Sequence, residues 1–141
     1  MVVKKTLLLD SSAVINDANF SFSLKFANLM TFECFDELKS MEARLLADNA
    51  LKQGLLELKS PCPSSIQKML VFLGKIGDKR LSSADISLLA LASELKEKSK
   101  EFSVVSDDYS VQNALKLLKI PFQGALQGRI KKARKWKRLK R

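Results

Sequence analysis

The sequence predicts an α/β fold, a parallel sheet sandwiched between helices. Short apolar runs ending on polar residues recur along the chain, and stretches with helical spacing separate them. Strands separated by helices pair in parallel, with helices on both sheet faces. The length of 141 residues suits one such domain with a sizeable core.

Residues 4–9 read as a buried strand stopped by Asp10, and Ser11-Ser12 then opens a turn or short helix. Residues 26–31 read as a second strand. Helical spacing fills 33–56, through Phe35 and Leu38 and then Leu45, Leu46, Leu51 and Leu55, with a break near Ser40. The run Ser60-Pro61-Cys62-Pro63-Ser64-Ser65 joins breakers to helix-capping residues. Met69, Leu70, Leu73 and Ile76 then form an apolar helical face that ends at Gly77-Asp78. Ser82-Ser83-Ala84-Asp85 starts the clearest helix, with Ile86, Leu89, Ala90 and Leu95 on its buried side. Residues 102–106 read as a strand, Asp107-Asp108 caps a helix running to about Leu118, and Ile120-Pro121-Phe122 reads as a last short strand.

Composition excludes several function classes. Hydrophobic residues make up 46%, too many for a disordered chain. No apolar run reaches the roughly 18–20 residues of a membrane-spanning helix, and the basic, then apolar start lacks the long core and cleavage site of an export signal. Cys34 and Cys62 provide no disulfide framework and fit a reduced, cytoplasmic setting. Cys34 reads as a core thiol. The chain has no histidine, which excludes every nucleophile triad that needs a histidine base.

Charge divides the chain in two. Residues 129–141 hold nine Lys and Arg and no acid, while residues 1–128 hold the other 16 cations against all 15 acids. A near-neutral body with a cationic tail points to a polyanionic partner, with nucleic acid ahead of a membrane surface. Ile130, Ala133, Trp136 and Leu139 recur every three residues in that tail and would form one stripe on a helix.

In parallel α/β sheets, ligands bind beyond the C-terminal ends of the strands. Asp10 follows the first strand, and Asp107 and Asp108 follow the strand at 102–106, so these acids share one sheet edge. Asp85 opens a helix, and Glu37 sits in a helix after the second strand. Converging carboxylates repel one another unless a cation neutralises them, and hard oxygen donors suit Mg²⁺ or Mn²⁺. Each acid also has a plain structural reading: Asp10 as a helix cap, Asp85 as part of a capping box, Asp107 and Asp108 as acids favoured at a helix start. Spacing alone leaves both readings open.

Four stretches carry a resemblance. Leu7-Leu8-Leu9-Asp10-Ser11-Ser12-Ala13-Val14 resembles the opening of PIN-domain nucleases. Phe35-Asp36-Glu37-Leu38-Lys39 resembles their second acidic motif, the stretch from Leu81 through Asp85 to Ala92 the third, and the stretch from Val105 to Asn113 the fourth. Within that superfamily the chain resembles the Nob family, endonucleases that mature the 3′ end of small-subunit ribosomal RNA. The stretch from Asp107 to Asn113, Gly77-Asp78 ahead of Leu81, and the run from Gly128 to Trp136 carry that finer likeness. The family continues into a zinc ribbon with two Cys-x-x-Cys pairs, and no such pair occurs up to Arg141.

The resemblance implies a PIN-like three-layer α/β/α sandwich around a parallel sheet of four to five strands. It implies a nuclease domain over residues 1–126 and a basic tail or helix over 127–141. Asp10, Glu37, Asp85 and Asp108 match the four acidic positions, as catalytic and metal-holding residues, with Asp107 as the second candidate for the last. Ser12 and Ser106 match hydroxyl positions that orient the acids. The implied activity is RNA hydrolysis by water activated on Mg²⁺ or Mn²⁺, with precursor small-subunit rRNA in the pre-ribosome as partner. Arg129, Lys131, Lys132, Arg134, Lys135, Trp136, Lys137 and Arg138 are the expected RNA contacts. The rival readings are a VapC-like toxin ribonuclease, a non-catalytic RNA-binding PIN module, and a small basic ribosomal or chromatin protein.

Overall fold

The computed structural model describes residues 4–16, 20–77 and 80–124. The elements run β1 (Thr6–Leu9), α1 (Ser11–Ile15), β2 (Ala27–Met30), α2 (Phe32–Asp36), α3 (Met41–Lys52), β3 (Leu56–Leu58), α4 (Pro63–Ile76), α5 (Ser83–Glu97), β4 (Phe102–Val105), α6 (Tyr109–Leu118) and β5 (Phe122–Gln123). Among the described residues, no helix is long and apolar enough to cross a membrane.

The five strands form one sheet in the order β3-β2-β1-β4-β5, and every neighbouring pair is parallel. Leu8 of the central strand pairs with Leu29 on one side and Val104 on the other. The apolar runs of β1 and β4 are what a strand covered on both faces requires. From β1 the chain moves outward to β2 and β3, then returns across the sheet to β4 and moves outward again to β5. The outward connections carry α1, α2 and α3, and the returning connection carries α4 and α5. The direction reverses between β1 and β4, which opens a crevice at their C-terminal ends. One bond beyond the strand, Asp10 N–H donates to the Val105 carbonyl at 2.9 Å and ties that end of β1 to β4.

Helix α5 packs against α2, α4 and α6. Ala84, Leu88, Leu89, Ala90, Leu91, Ala92 and Leu95 are all buried, so the helix is apolar around most of its circumference, as a core helix is. Its capping box is complete: the Ser82 hydroxyl accepts from Asp85 N–H, and the Asp85 carboxylate accepts from Ser82 N–H. Ser40 caps α3 at Ala43 N–H, which accounts for the break read near that residue. Gly77 ends α4 in the left-handed conformation at φ +72°.

The helix read over 33–56 is corrected in two places. It ends at Lys52, and Leu56–Leu58 is the edge strand β3. Gly54 turns the chain at φ +74°, and Leu55 N–H closes that turn on the Ala50 carbonyl. Leu56 is buried and Glu57 exposed, a strand alternation that the preceding leucines at helical spacing conceal. Glu37 is not inside a helix: it is the C-cap of α2.

Leu88 lies fully buried in α5. Leu88→Ala is expected to cost about 3 kcal/mol, read as a lower urea midpoint with an unchanged m value.

Candidate active site

Asp10 is 2% exposed and stands at the N-cap position of α1, yet its side chain makes no capping bond. Its Oδ2 instead accepts from the Ser12 hydroxyl at 2.9 Å and the Ser106 hydroxyl at 2.7 Å. Ser106 lies just past β4, so the acid at the end of β1 is held by the neighbouring strand's turn. The two serines also accept: Ser12 Oγ takes Asp107 N–H and Ser106 Oγ takes Asp108 N–H, both at 3.1 Å. Buried Gln112 of α6 donates to the Ser106 carbonyl at 2.7 Å. Asp10 Oδ1 has one weak contact, the Ser11 hydroxyl at 3.4 Å.

Asp85 and Asp108 do cap helices, each with one oxygen. Asp85 Oδ2 accepts from Ser82 N–H at 3.0 Å, and Asp108 Oδ1 accepts from Ser110 N–H at 2.8 Å. Glu37 Oε1 accepts from the Ser11 hydroxyl at 2.7 Å. These four acids, with Ser11, Ser12, Ile15, Asn16 and Ser82, line one cleft of about 360 Å³. For Asp85 and Asp108, capping and cleft-lining hold together; for Asp10 the capping reading fails.

Asp107 is not among the cleft-lining residues, and both its carboxylate oxygens are buried without a hydrogen-bond partner. Glu33 has one buried unpartnered oxygen and is also outside the cleft wall. Cys34 is buried beneath the acids, its Sγ 3.6 Å from the Ala84 carbonyl, and burial pushes its thiol up to about 12. The tail residues Arg129, Lys131, Lys132, Arg134, Lys135, Trp136, Lys137 and Arg138 lie outside the described residues. Ser11 is not among the site residues expected from the sequence; its one signal there is adjacency to Asp10 in a Ser-Ser pair.

Among the described residues, no Lys or Arg lines the cleft. Burial raises the Asp10 pKa, the Ser106 and Ser12 hydrogen bonds oppose that, and the Asp108 and Glu37 charges add to it. Asp85 is also raised, first by burial, against the Ser82 backbone hydrogen bond, with the Asp10 and Asp108 charges adding. Clustered carboxylates are the donor set that suits a hard divalent cation. As the side chains stand, no three of the described His, Cys, Asp or Glu residues meet closely enough to grip one ion. The chemistry of the donors fits such an ion, although their present geometry is open.

A family model described as the PIN domain of ribonuclease matches residues 7–95, a span that includes Asp10, Glu37 and Asp85. Endoribonuclease Nob1 of Pyrococcus abyssi is 34% identical over 137 residues, covering 96% of this chain and 78% of that protein. Endoribonuclease Nob1 of Methanothermobacter thermautotrophicus is 29% identical over 143 residues, covering 98% and 79%. Among solved structures, the sarcin-ricin loop cleaving toxin VapC20 of Mycobacterium tuberculosis superposes with a TM-score of 0.54 over 77% of this chain and 94% of its own, at 12% identity. That likeness shows the fold.

The raised carboxyls fix a pH dependence. The folded chain keeps these protons to higher pH than the unfolded chain does. The two groups therefore favour the fold most below the ordinary carboxylate range, and that contribution is lost as pH rises through their folded-state pKa values. Without divalent cations, Asp10→Asn is expected to raise stability at pH 7 by on the order of 1 kcal/mol, with the gain shrinking towards pH 4. Thermal unfolding of both proteins in EDTA across that range reads the difference.

Proposed function

The chain belongs to the Nob1 family of endoribonucleases and carries a PIN domain, and on that premise we propose that it hydrolyses RNA phosphodiester bonds with Mg²⁺ or Mn²⁺ in maturing the 3′ end of precursor small-subunit rRNA. The observation that carries this reading is the cleft: Asp10, Glu37, Asp85 and Asp108 line it together at the sheet's switch point, with no Lys or Arg among its described lining residues.

The chain's own residues do the positioning. Ser12 and Ser106 clamp one oxygen of Asp10 and leave Oδ1 to the cleft. The capping bonds of Asp85 and Asp108 fix each carboxylate through one oxygen and leave the other available. Bound there, a divalent ion would neutralise the cluster, lower the pKa of water and stabilise the leaving 3′ oxygen. The chain has no histidine, and among the described residues the carboxylates are the only charged groups lining the cleft. By this reading the products carry a 5′-phosphate and a 3′-hydroxyl.

An acidic cleft repels an RNA backbone, so affinity must come from elsewhere in the chain. Residues 129–141 hold nine cations, and we assign them, with Trp136, to RNA phosphates and an unpaired base in the pre-ribosome. This reading divides the chain into a nuclease domain over 1–126 and an RNA-binding segment over 127–141, acting in the cytoplasm.

The test is cleavage of a short RNA spanning the 3′ end of precursor small-subunit rRNA. Wild type is expected to cut at one position with Mn²⁺ and not with EDTA, and Asp10→Asn and Asp85→Asn to lose at least about 100-fold in rate. Full activity in either variant would sink the assignment; cutting at many single-stranded sites would instead favour a toxin-like ribonuclease. Deleting residues 129–141 is expected to weaken RNA binding and flatten its salt dependence. An unchanged slope removes the tail from the interface.

A further inference from the structure

We infer that Ser11 is a positioning residue: its hydroxyl holds Glu37 towards the cleft, where a divalent cation would draw the carboxylates together. The inference rests on the metal-dependent reading above and adds a residue to it.

Glu37 is the least constrained of the four acids. Asp10 is held by two hydroxyls, Asp85 by its capping box and Asp108 by the start of α6. Glu37 is exposed, ends a five-residue helix and has no capping task for its carboxylate. Its side chain has more rotatable bonds than an aspartate, so leaving it untethered favours solvent-facing rotamers. Repulsion from Asp10 pushes the same way. Against both stands one side-chain hydrogen bond among the described residues, Ser11 Oγ to Glu37 Oε1 at 2.7 Å.

Ser11 is built for that task. It is 7% exposed and begins α1 directly after Asp10, so its backbone is fixed by the central strand. A hydroxyl has one proton to donate, and two carboxylates compete for it. Glu37 Oε1 lies at 2.7 Å and Asp10 Oδ1 at 3.4 Å, so the proton goes to Glu37. That choice draws Glu37 inward and leaves Asp10 Oδ1 without a strong donor. Adjacent serines thereby divide the work: Ser12 fixes Asp10, and Ser11 fixes Glu37.

The experiment is Mn²⁺ binding to the full chain by titration calorimetry, without RNA. Ser11→Ala is expected to weaken binding about tenfold, the scale on which residues that orient metal ligands act. Ser11→Thr should stay within about threefold of wild type, and Ser11→Val should match Ser11→Ala. The Thr and Val variants have nearly the same shape, so they isolate the hydroxyl even where Ser11→Ala does not fold. In a Glu37→Gln background, Ser11→Ala should cost less than about twofold more, because the tethered ligand is already gone. Equal Mn²⁺ affinity in the Thr and Val proteins, or an undiminished Ser11 effect in Glu37→Gln, overturns the inference alone. A wild-type protein that binds no Mn²⁺ overturns the metal-dependent reading and this inference with it.

Discussion

Asp10 places a carboxylate almost wholly out of water at the point where the sheet's connections part, and much of the site is arranged around that charge. A buried carboxylate is costly unless hydrogen bonds satisfy it. Here the hydroxyls of Ser12 and Ser106 do so from two different elements. Because the same hydroxyls accept from the N–H groups of Asp107 and Asp108, the turn after β4 is held to the turn after β1 through a single carboxylate oxygen. The bond from Asp10 N–H to Val105 reinforces the same joint through the backbone. A shift of Asp10 would therefore disturb the turn that carries Asp108 as well.

Like charges gathered in one cleft oppose folding, and the secondary structure offsets part of that cost. Asp85 lies in the first turn of α5 and Asp108 caps α6, where the positive ends of the helix dipoles favour negative charge. The same capping bonds fix the direction of each carboxylate. Local sequence chemistry thus orients two of the acids before any long-range contact forms. The remaining two need distant partners: Asp10 depends on Ser106, 96 residues away, and Glu37 on Ser11, 26 residues away. A fold that assembles β1 beside β4 supplies the first of these as a consequence of strand pairing.

This division also explains what was legible in the sequence. Strands β1 and β4, helix α5 and the caps at Ser40, Ser82 and Asp108 announce themselves through apolar runs and local bonding patterns. Strand β3 does not, because three residues on a sheet edge carry too short an alternation to interrupt the leucine spacing of α3. The sequence offers five candidate acids, and the structure brings Asp10, Glu37, Asp85 and Asp108 to one cleft while Asp107 is not among its lining residues. The part of Ser11 was not legible, since its partner Glu37 becomes its neighbour only once α2 follows β2 alongside β1. The basic tail stands on its sequence alone.

The adjacent pair Asp107-Asp108 shows how backbone geometry sorts two residues of one chemistry. Helix α6 begins at Tyr109, so Asp108 is its N-cap, in extended conformation with φ −85° and ψ 118°. Its carboxylate turns to Ser110 N–H and faces the cleft. The register is fixed from both sides: Gln112 N–H donates to the Asp108 carbonyl, and the Gln112 side chain donates to the Ser106 carbonyl. Moving the helix start back by one residue would give the capping position to Asp107 and carry Asp108 into the first turn. Asp107 is left with a buried carboxylate and no partner among the described residues, a cost rather than a contribution to stability. The two acids are therefore not interchangeable: the turn between Ser106 and α6, and not the sequence of the pair, decides which one the cleft receives.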